Sequence, residues 1–294
     1  IQNANVAMHQ AKESGRDRIK VFNKRMLEEA VQAMQLESDL RAAMLSGNEL
    51  YLDYQPIYSL KDHSVVGFEA LIRWNHPRRG LVMPGEFIPM AEESGLIFEL
   101  GSWVVSEACR QMKSWQGSYE SASEMMMSIN ISPRQFSQPA LADNILSKLS
   151  EFDLPARNLK VEITETAIME RAKQSVDMLN RLKAAGVLVS IDDFGTGYSS
   201  MSNLQEFPLD QLKIDLSFVR KMNESSENLE IVRAIVNLAH NLGLNVVAEG
   251  VEEIEQQDAL RDLGCEYGQG YLFSKPISRM KIESFFKGEI ELGA

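Results

Sequence analysis

From residue 50 onward the chain alternates apolar and polar positions in short bursts, and between the bursts apolar residues recur at spacings of three and four. Alternation marks strands and the longer period marks helices. The bursts place strands at 50–58, 65–71, 126–131, 159–163, 187–191, 211–214 and 245–248, with a weaker one at Tyr271 and Leu272. Helical spacing covers 97–115, 141–149, 167–185, 229–241 and 253–263. Strand then helix, repeated to eight strands over about 250 residues, predicts an α/β fold closed into a TIM-type (β/α)8 barrel. The first two strands break the rule, because only Lys61, Asp62, His63 and Ser64 separate them. So short a link permits a hairpin but no parallel crossover, which predicts a modified TIM barrel with one antiparallel strand. An open doubly wound sheet is the alternative, but no glycine-rich phosphate loop follows the first strand.

Ahead of the barrel, Val6, Ala7 and Ala11 have helical spacing that stops at Gly15, and Val21 with Phe22 begins a short strand. Met26, Leu27, Ala30, Met34, Leu36, Leu40, Ala43 and Met44 then predict a linking helix over 23–46.

Composition narrows the picture. The 294 residues, 44% hydrophobic and 24% charged, carry enough apolar material for one large core. The stretch around Trp103, Val104 and Val105 is far shorter than the roughly 20 residues that span a bilayer. The chain starts at Ile1 without a leader, which reads as a fragment of a longer cytoplasmic polypeptide. Membrane-anchoring segments elsewhere in that polypeptide are left open. Cys109 and Cys265 are far apart and suit a reducing compartment. A net charge of -12 argues against polymeric DNA or RNA as partner, since affinity for those comes from cationic contacts to phosphate. An anionic ligand would need cations recruited locally.

In a barrel the reactive groups project from the carboxyl ends of the strands. Here those ends are uniformly polar: Glu69, Asn130, Glu162, Asp192 with Asp193, Lys213 with Asp215, Glu249, and Gln269. Any one of them is ordinarily a cap or a solvated turn. Together, carboxylates crowded on one rim repel one another unless a cation shares them. Oxygen ligands without His or Cys point to Mg²⁺ or Mn²⁺ and not to zinc. The four histidines, His9, His63, His76 and His240, show no ligand spacing and read as surface or packing residues. Adjacent Asp192 and Asp193 could each reach a different ion, with Asp192 bridging, as two-metal phosphodiester chemistry requires. The segment from Phe194 to Ser200 reads as a glycine-hinged loop over the metals or as a simple turn.

These residues carry a resemblance. Tyr54-Gln55-Pro56-Ile57, Glu69-Ala70-Leu71 followed by Arg73 and Trp74, and Ser128-Ile129-Asn130-Ile131-Ser132 come first. Glu162-Ile163-Thr164-Glu165, Asp192-Asp193-Phe194-Gly195-Thr196-Gly197 and Lys213-Ile214-Asp215 follow, then Ala248-Glu249-Gly250-Val251-Glu252 and Gln269-Gly270-Tyr271-Leu272-Phe273. In this order they resemble the EAL phosphodiesterase family over roughly 50–276. The resemblance implies a modified TIM barrel that opens the cyclic dinucleotide cyclic di-GMP into linear pGpG in bacterial signalling. It implies metal ligation by Glu69, Asn130, Glu162, Asp192, Asp193 and Glu249, with two ions, and substrate contacts from Gln55, Arg73, Asp215, Glu252 and Gln269. It also implies a homodimer with helices near the Asp192-Asp193 loop as a contact. Residues 7–16 resemble the closing helix of GGDEF domains, the diguanylate cyclase family, with His9 and Asp17 where Tyr and Asn are usual. The implied organisation is a cyclase-like remnant at 1–22, a linker helix and domain start at 23–46, and the barrel at 47–294, with cyclase-like and sensory domains upstream.

The chemistry follows from physical needs. A phosphodiester repels an incoming nucleophile until cations neutralise it. Lys213 is suited to orient a water or stabilise the developing charge, and equally to form a structural ion pair; Glu249 could ligate metal or accept a proton. Glu69 is a catalytic candidate through the metal. Arg73 offers a planar fork to a phosphate or a guanine edge. Glu165 anchors the loop after Phe194 or is an ordinary carboxylate at a helix N-terminus. The competing function is a catalytically silent cyclic di-GMP receptor, which loss of a metal ligand would have favoured.

Overall fold

A computed structural model gives the protein at residue 19 and residues 21–170, 172–196 and 204–292. The cyclase-like tail expected at 1–22 and the end of the expected loop, 197–200, lie almost wholly outside these residues. The chain packs as two compact units, 1–51 with 73–96, and 52–72 with 97–294.

In the first unit a helix runs from Lys24 to Ser46, capped by the Asn23 side chain, which accepts the Met26 N–H at 3.0 Å. It stops at Gly47, whose φ of 71° is one that a Cβ would penalise. Its buried residues are Met26, Leu36, Leu40 and Ala43. Asp39 binds the buried His76 ring at 3.0 Å, and Trp74 Nε1 donates to Glu49 at 2.9 Å. Both rings belong to the end of β2 (Val65–His76), where β3 (Gly80–Val82) pairs antiparallel.

The strands β1 (Leu50–Ser59), β2, β4 (Met126–Ile131), β5 (Leu159–Thr164), β6 (Leu188–Phe194), β7 (Gln211–Ile214), β8 (Asn245–Ala248) and β9 (Tyr267–Gly268) form a ring that the β1–β2 pairing closes. β1 pairs antiparallel with β9, and all the other neighbours from β2 round to β9 are parallel. This is the modified TIM barrel with one reversed strand, and β3 stands outside the ring.

Alternation along the strands explains why the barrel carries a polar interior. Met127, Ile129, Leu159, Val161, Val189, Ile191, Leu212 and Ile214 join one apolar core beneath the helices. Each such side chain contributes about 1.5–3 kcal/mol when fully buried. Their neighbours Ser128, Asn130, Lys160, Glu162, Ser190, Asp192, Gln211 and Lys213 alternate with them and turn the other way, into the barrel.

The last strand differs from the expectation. It lies at Tyr267–Gly268, paired with Val247 and Ala248, and not at Tyr271 and Leu272. Those two residues sit in a turn closed by N–H groups of Phe273 and Ser274 on the Gly270 carbonyl, and Tyr271 is exposed. Helix covers Glu165–Glu170 and Ala172–Ala185, which spans the described residues of the helix expected over 167–185 and begins two residues earlier. Short helices at Pro84–Ser94, Pro133–Phe136, Leu216–Lys221 and Arg279–Phe286 carried too few periodic positions to be read from sequence.

Candidate active site

Five parallel strand ends deliver the rim. Glu69 on β2, Glu162 on β5, Asp192 on β6, Lys213 on β7 and Glu249 just past β8 all turn inward. Lys213 is their common partner: its Nζ lies 2.6 Å from Glu249, 2.7 Å from Glu162, 3.3 Å from Asp192 and 3.5 Å from Glu69. Glu69 is held from both sides, by Asn130 Nδ2 at 2.6 Å on one oxygen and Gln269 Nε2 at 2.6 Å on the other. Gln269 also donates to Gln55 at 3.0 Å, and Gln55 donates to the Ser274 carbonyl.

Asp193 reaches the same rim by a distortion. On a regular strand, neighbours face opposite sides, so Asp192 and Asp193 would point apart. The register of β6 against β7 shifts between Ile191 and Phe194, and Asp193 adopts φ 54°, in the left-handed region. Aspartate tolerates that region better than most residues. As a result, carboxylate oxygens of Asp192, Asp193 and Glu249 all lie within 4.8 Å of one another.

Charge at the rim is short of balance. Burial works against the Lys213 charge, but Asp192, Glu162, Glu249 and Glu69 hold its pKa well above the ordinary lysine value. Burial would raise Glu69, yet Lys213, Gln269 and Asn130 keep it below its usual range. Burial pushes Glu162 and Asp192 up, pushes Glu249 up to about 8, and raises Asp193 with help from nearby Asp215. Carboxylates that resist ionising because too few cations face them are a donor set suited to hard divalent ions. Glu162 Oε1 adds to the fit, being buried without a hydrogen-bond partner.

The remaining expected residues divide. Gln55, Glu69, Glu249, Glu252 and Gln269 line one cleft of about 290 Å³. Asp215 caps the helix Leu216–Lys221, accepting the Ser217 N–H at 3.0 Å. Arg73 is buried on β2 within the first unit. Glu165, at the start of Glu165–Glu170, accepts the Gly195 N–H at 2.8 Å. Sequence reading missed Arg220, which lines the cleft and pairs with Glu252 at 2.7 Å. Its only signal was a cation five residues beyond Asp215.

The EAL domain model matches residues 37–276. The chain belongs to the EAL domain family. The match starts inside the helix Lys24–Ser46 and takes in the EAL tripeptide itself, Glu69-Ala70-Leu71. The cyclic di-GMP phosphodiesterase NbdA of Pseudomonas aeruginosa is 41% identical over 287 residues, covering 98% of this chain and 36% of that protein. The cyclic di-GMP phosphodiesterase PdeR of Escherichia coli is 37% identical over 287 residues, covering 98% of this chain and 43% of its own length. This EAL chain thus spans less than half the length of either relative. A solved structure of the PaMucR phosphodiesterase as a c-di-GMP complex aligns with a TM-score of 0.80 at 42% identity, over 84% of this chain and 99% of that one. No helix among the described residues is long and apolar enough to cross a membrane.

Proposed function

We propose that this EAL chain is a cytoplasmic phosphodiesterase that hydrolyses one phosphodiester bond of cyclic di-GMP to give linear pGpG, with two Mg²⁺ or Mn²⁺ ions as cofactor. The observation that carries the reading is the convergence of four carboxylates on Lys213, with Asp193 within 4.8 Å of Asp192 and Glu249, beside the cleft that Gln55 and Gln269 line. Glu69, Asn130, Glu162, Asp192, Asp193 and Glu249 would hold the ions. Ions held there would supply charge to neutralise the phosphodiester and to acidify a water. Lys213 directs its ammonium at the charge that develops on the phosphorus oxygens. Glu249, whose affinity for a proton burial has increased, would accept one from the attacking water. Gln55, Arg73, Asp215, Glu252 and Gln269 position the nucleotide, and Glu165 fixes the backbone at Gly195. We further infer a cyclase-like remnant at 1–22, on the motif at 7–16, and a homodimer of the barrel.

The deciding experiment is incubation with cyclic di-GMP and Mg²⁺ or Mn²⁺, followed by nucleotide chromatography. Linear pGpG that disappears on adding chelator supports the reading. Unchanged substrate with either metal overturns it in favour of a nucleotide receptor.

A further inference from the structure

Beneath the rim, the barrel holds a second lysine to which the reaction scheme gives no role. Lys160 lies on β5 two residues before Glu162, so both side chains turn into the barrel. Each is only 1% exposed. Lys160 Nζ donates to the side-chain oxygen of Gln211 on β7 and lies 3.8 Å from Glu162 Oε1. That is the Glu162 oxygen without a hydrogen-bond partner; the other accepts from Lys213 at 2.7 Å. Ser128 and Ser190, register neighbours of Lys160 and Glu162, leave their buried hydroxyls unpartnered as well. Around Lys160 there are therefore one neutral amide and one facing carboxylate, with Glu69, Asp192 and Lys213 acting on it from farther off; burial pulls its pKa below the ordinary lysine value and the carboxylates oppose that. An ammonium in such surroundings is expensive to bury unless neighbouring negative charge compensates it.

We propose that Lys160 sets the affinity of the divalent-cation site: its charge behind Glu162 compensates the rim in the metal-free protein and opposes cation binding there. The inference rests on the metal reading above. Among the described residues Lys160 and Lys213 are the lysines that pair with the rim carboxylates, so losing one leaves more uncompensated charge in a space closed to water. Against a divalent cation on Glu162, the same ammonium is a like charge, and such repulsion is strong where water is excluded. Weakened binding makes cation occupancy follow the surrounding free concentration. A lysine kept only to hold Glu162 in place would give the opposite sign, because its loss would loosen a ligand and weaken the site.

The test is Lys160→Met, titrated with Mn²⁺ by calorimetry without nucleotide. Binding is expected to tighten about tenfold or more relative to wild type. Without metal the variant is expected to melt lower than wild type and to gain more from saturating Mn²⁺. If it folds only in Mn²⁺, competition with a chelator replaces the titration: slower loss of metal than wild type supports the inference, and equal or faster loss overturns it. Lys160→Arg keeps the charge and is expected to bind Mn²⁺ as wild type does; tightening there also overturns it. Wild-type binding with no tightening in Lys160→Met sinks the inference alone, whereas a wild type that binds no Mn²⁺ removes the metal reading and this inference together.

Discussion

The ammonium of Lys213 stands 2.6 Å from the carboxylate of Glu249, the shortest of its four ion pairs at the rim. Removing it leaves buried carboxylates facing one another and takes away the cation aimed at the reacting phosphate. Lys213→Met is therefore expected to lower turnover of cyclic di-GMP by about 10²–10³-fold, the usual cost of losing a preorganised charge contact. Initial rates in saturating Mn²⁺, with circular dichroism to verify the fold, measure it. A folded variant with near wild-type turnover would make Lys213 a structural ion pair only.

Glu69→Ala separates chemistry from binding. Glu69 accepts from Asn130, Gln269 and Lys213, so its loss frees three donors and removes one proposed ligand. Hydrolysis is expected to fall by orders of magnitude while affinity for cyclic di-GMP falls far less, since Gln55 keeps its own anchor on Ser274. Calorimetric binding beside hydrolysis rates on wild type and variant gives the comparison. Equal losses in both would place Glu69 among the nucleotide contacts instead.

A pH dependence follows from Glu249. Its pKa rises from 4.5 to about 8 on folding, chiefly through burial. The folded state then binds a proton that the unfolded state releases, so this contribution to stability is complete below about 4.5 and disappears as pH climbs through about 8. In chelator, the melting temperature is expected to decline over that window. Adding Mg²⁺ should flatten the decline, because a divalent cation takes over the proton's compensating role. Calorimetric scans with and without Mg²⁺ check this, and a flat profile in chelator would contradict it.

Gly67→Ala tests the strand contact beneath the site. A Cβ at Gly67 would lie 2.4 Å from the Met126 carbonyl oxygen, across the β2–β4 pairing. Neither backbone can yield cheaply, and a loss of about 3 kcal/mol is expected, at the upper end for overpacking. Gly117→Ala meets nothing within 4 Å near the end of its helix and serves as control, with a gain of about 0.5–1 kcal/mol. Urea unfolding of the two variants measures the contrast; equal stabilities would mean that β2 and β4 are less closely apposed.

Much of the barrel was legible because its strands alternate so regularly. Met126–Ile131, Gln211–Ile214 and Asn245–Ala248 lie where the pattern put them, with polar residues such as Asn130 and Lys213 in the inward positions. The rim could be read because one polar residue closes each run. Two things resisted. β9 is two residues long, too short for any period to register, and the more apolar Tyr271-Leu272 pair beside it gave a stronger but misplaced signal. Lys160 was passed over because strand ends drew attention, while its significance comes from depth inside the ring, which periodicity does not report. Arg220 became visible only when folding set it against Glu252, thirty-two positions along the chain.

The bulge at Asp193 has a mechanical consequence. Every other pair of carboxylates on the rim comes from different strands, so their separations change whenever the barrel breathes. Asp192 and Asp193 are joined by a single peptide unit, and the Asp193 N–H donates to Asp192 Oδ1 at 3.0 Å. The backbone positions that carry them are therefore tied by one planar peptide unit, and the hydrogen bond orients the Asp192 carboxylate against the Asp193 backbone. The pair thus enters the rim as one covalent unit, against which groups on other strands such as Glu249 must be brought into range.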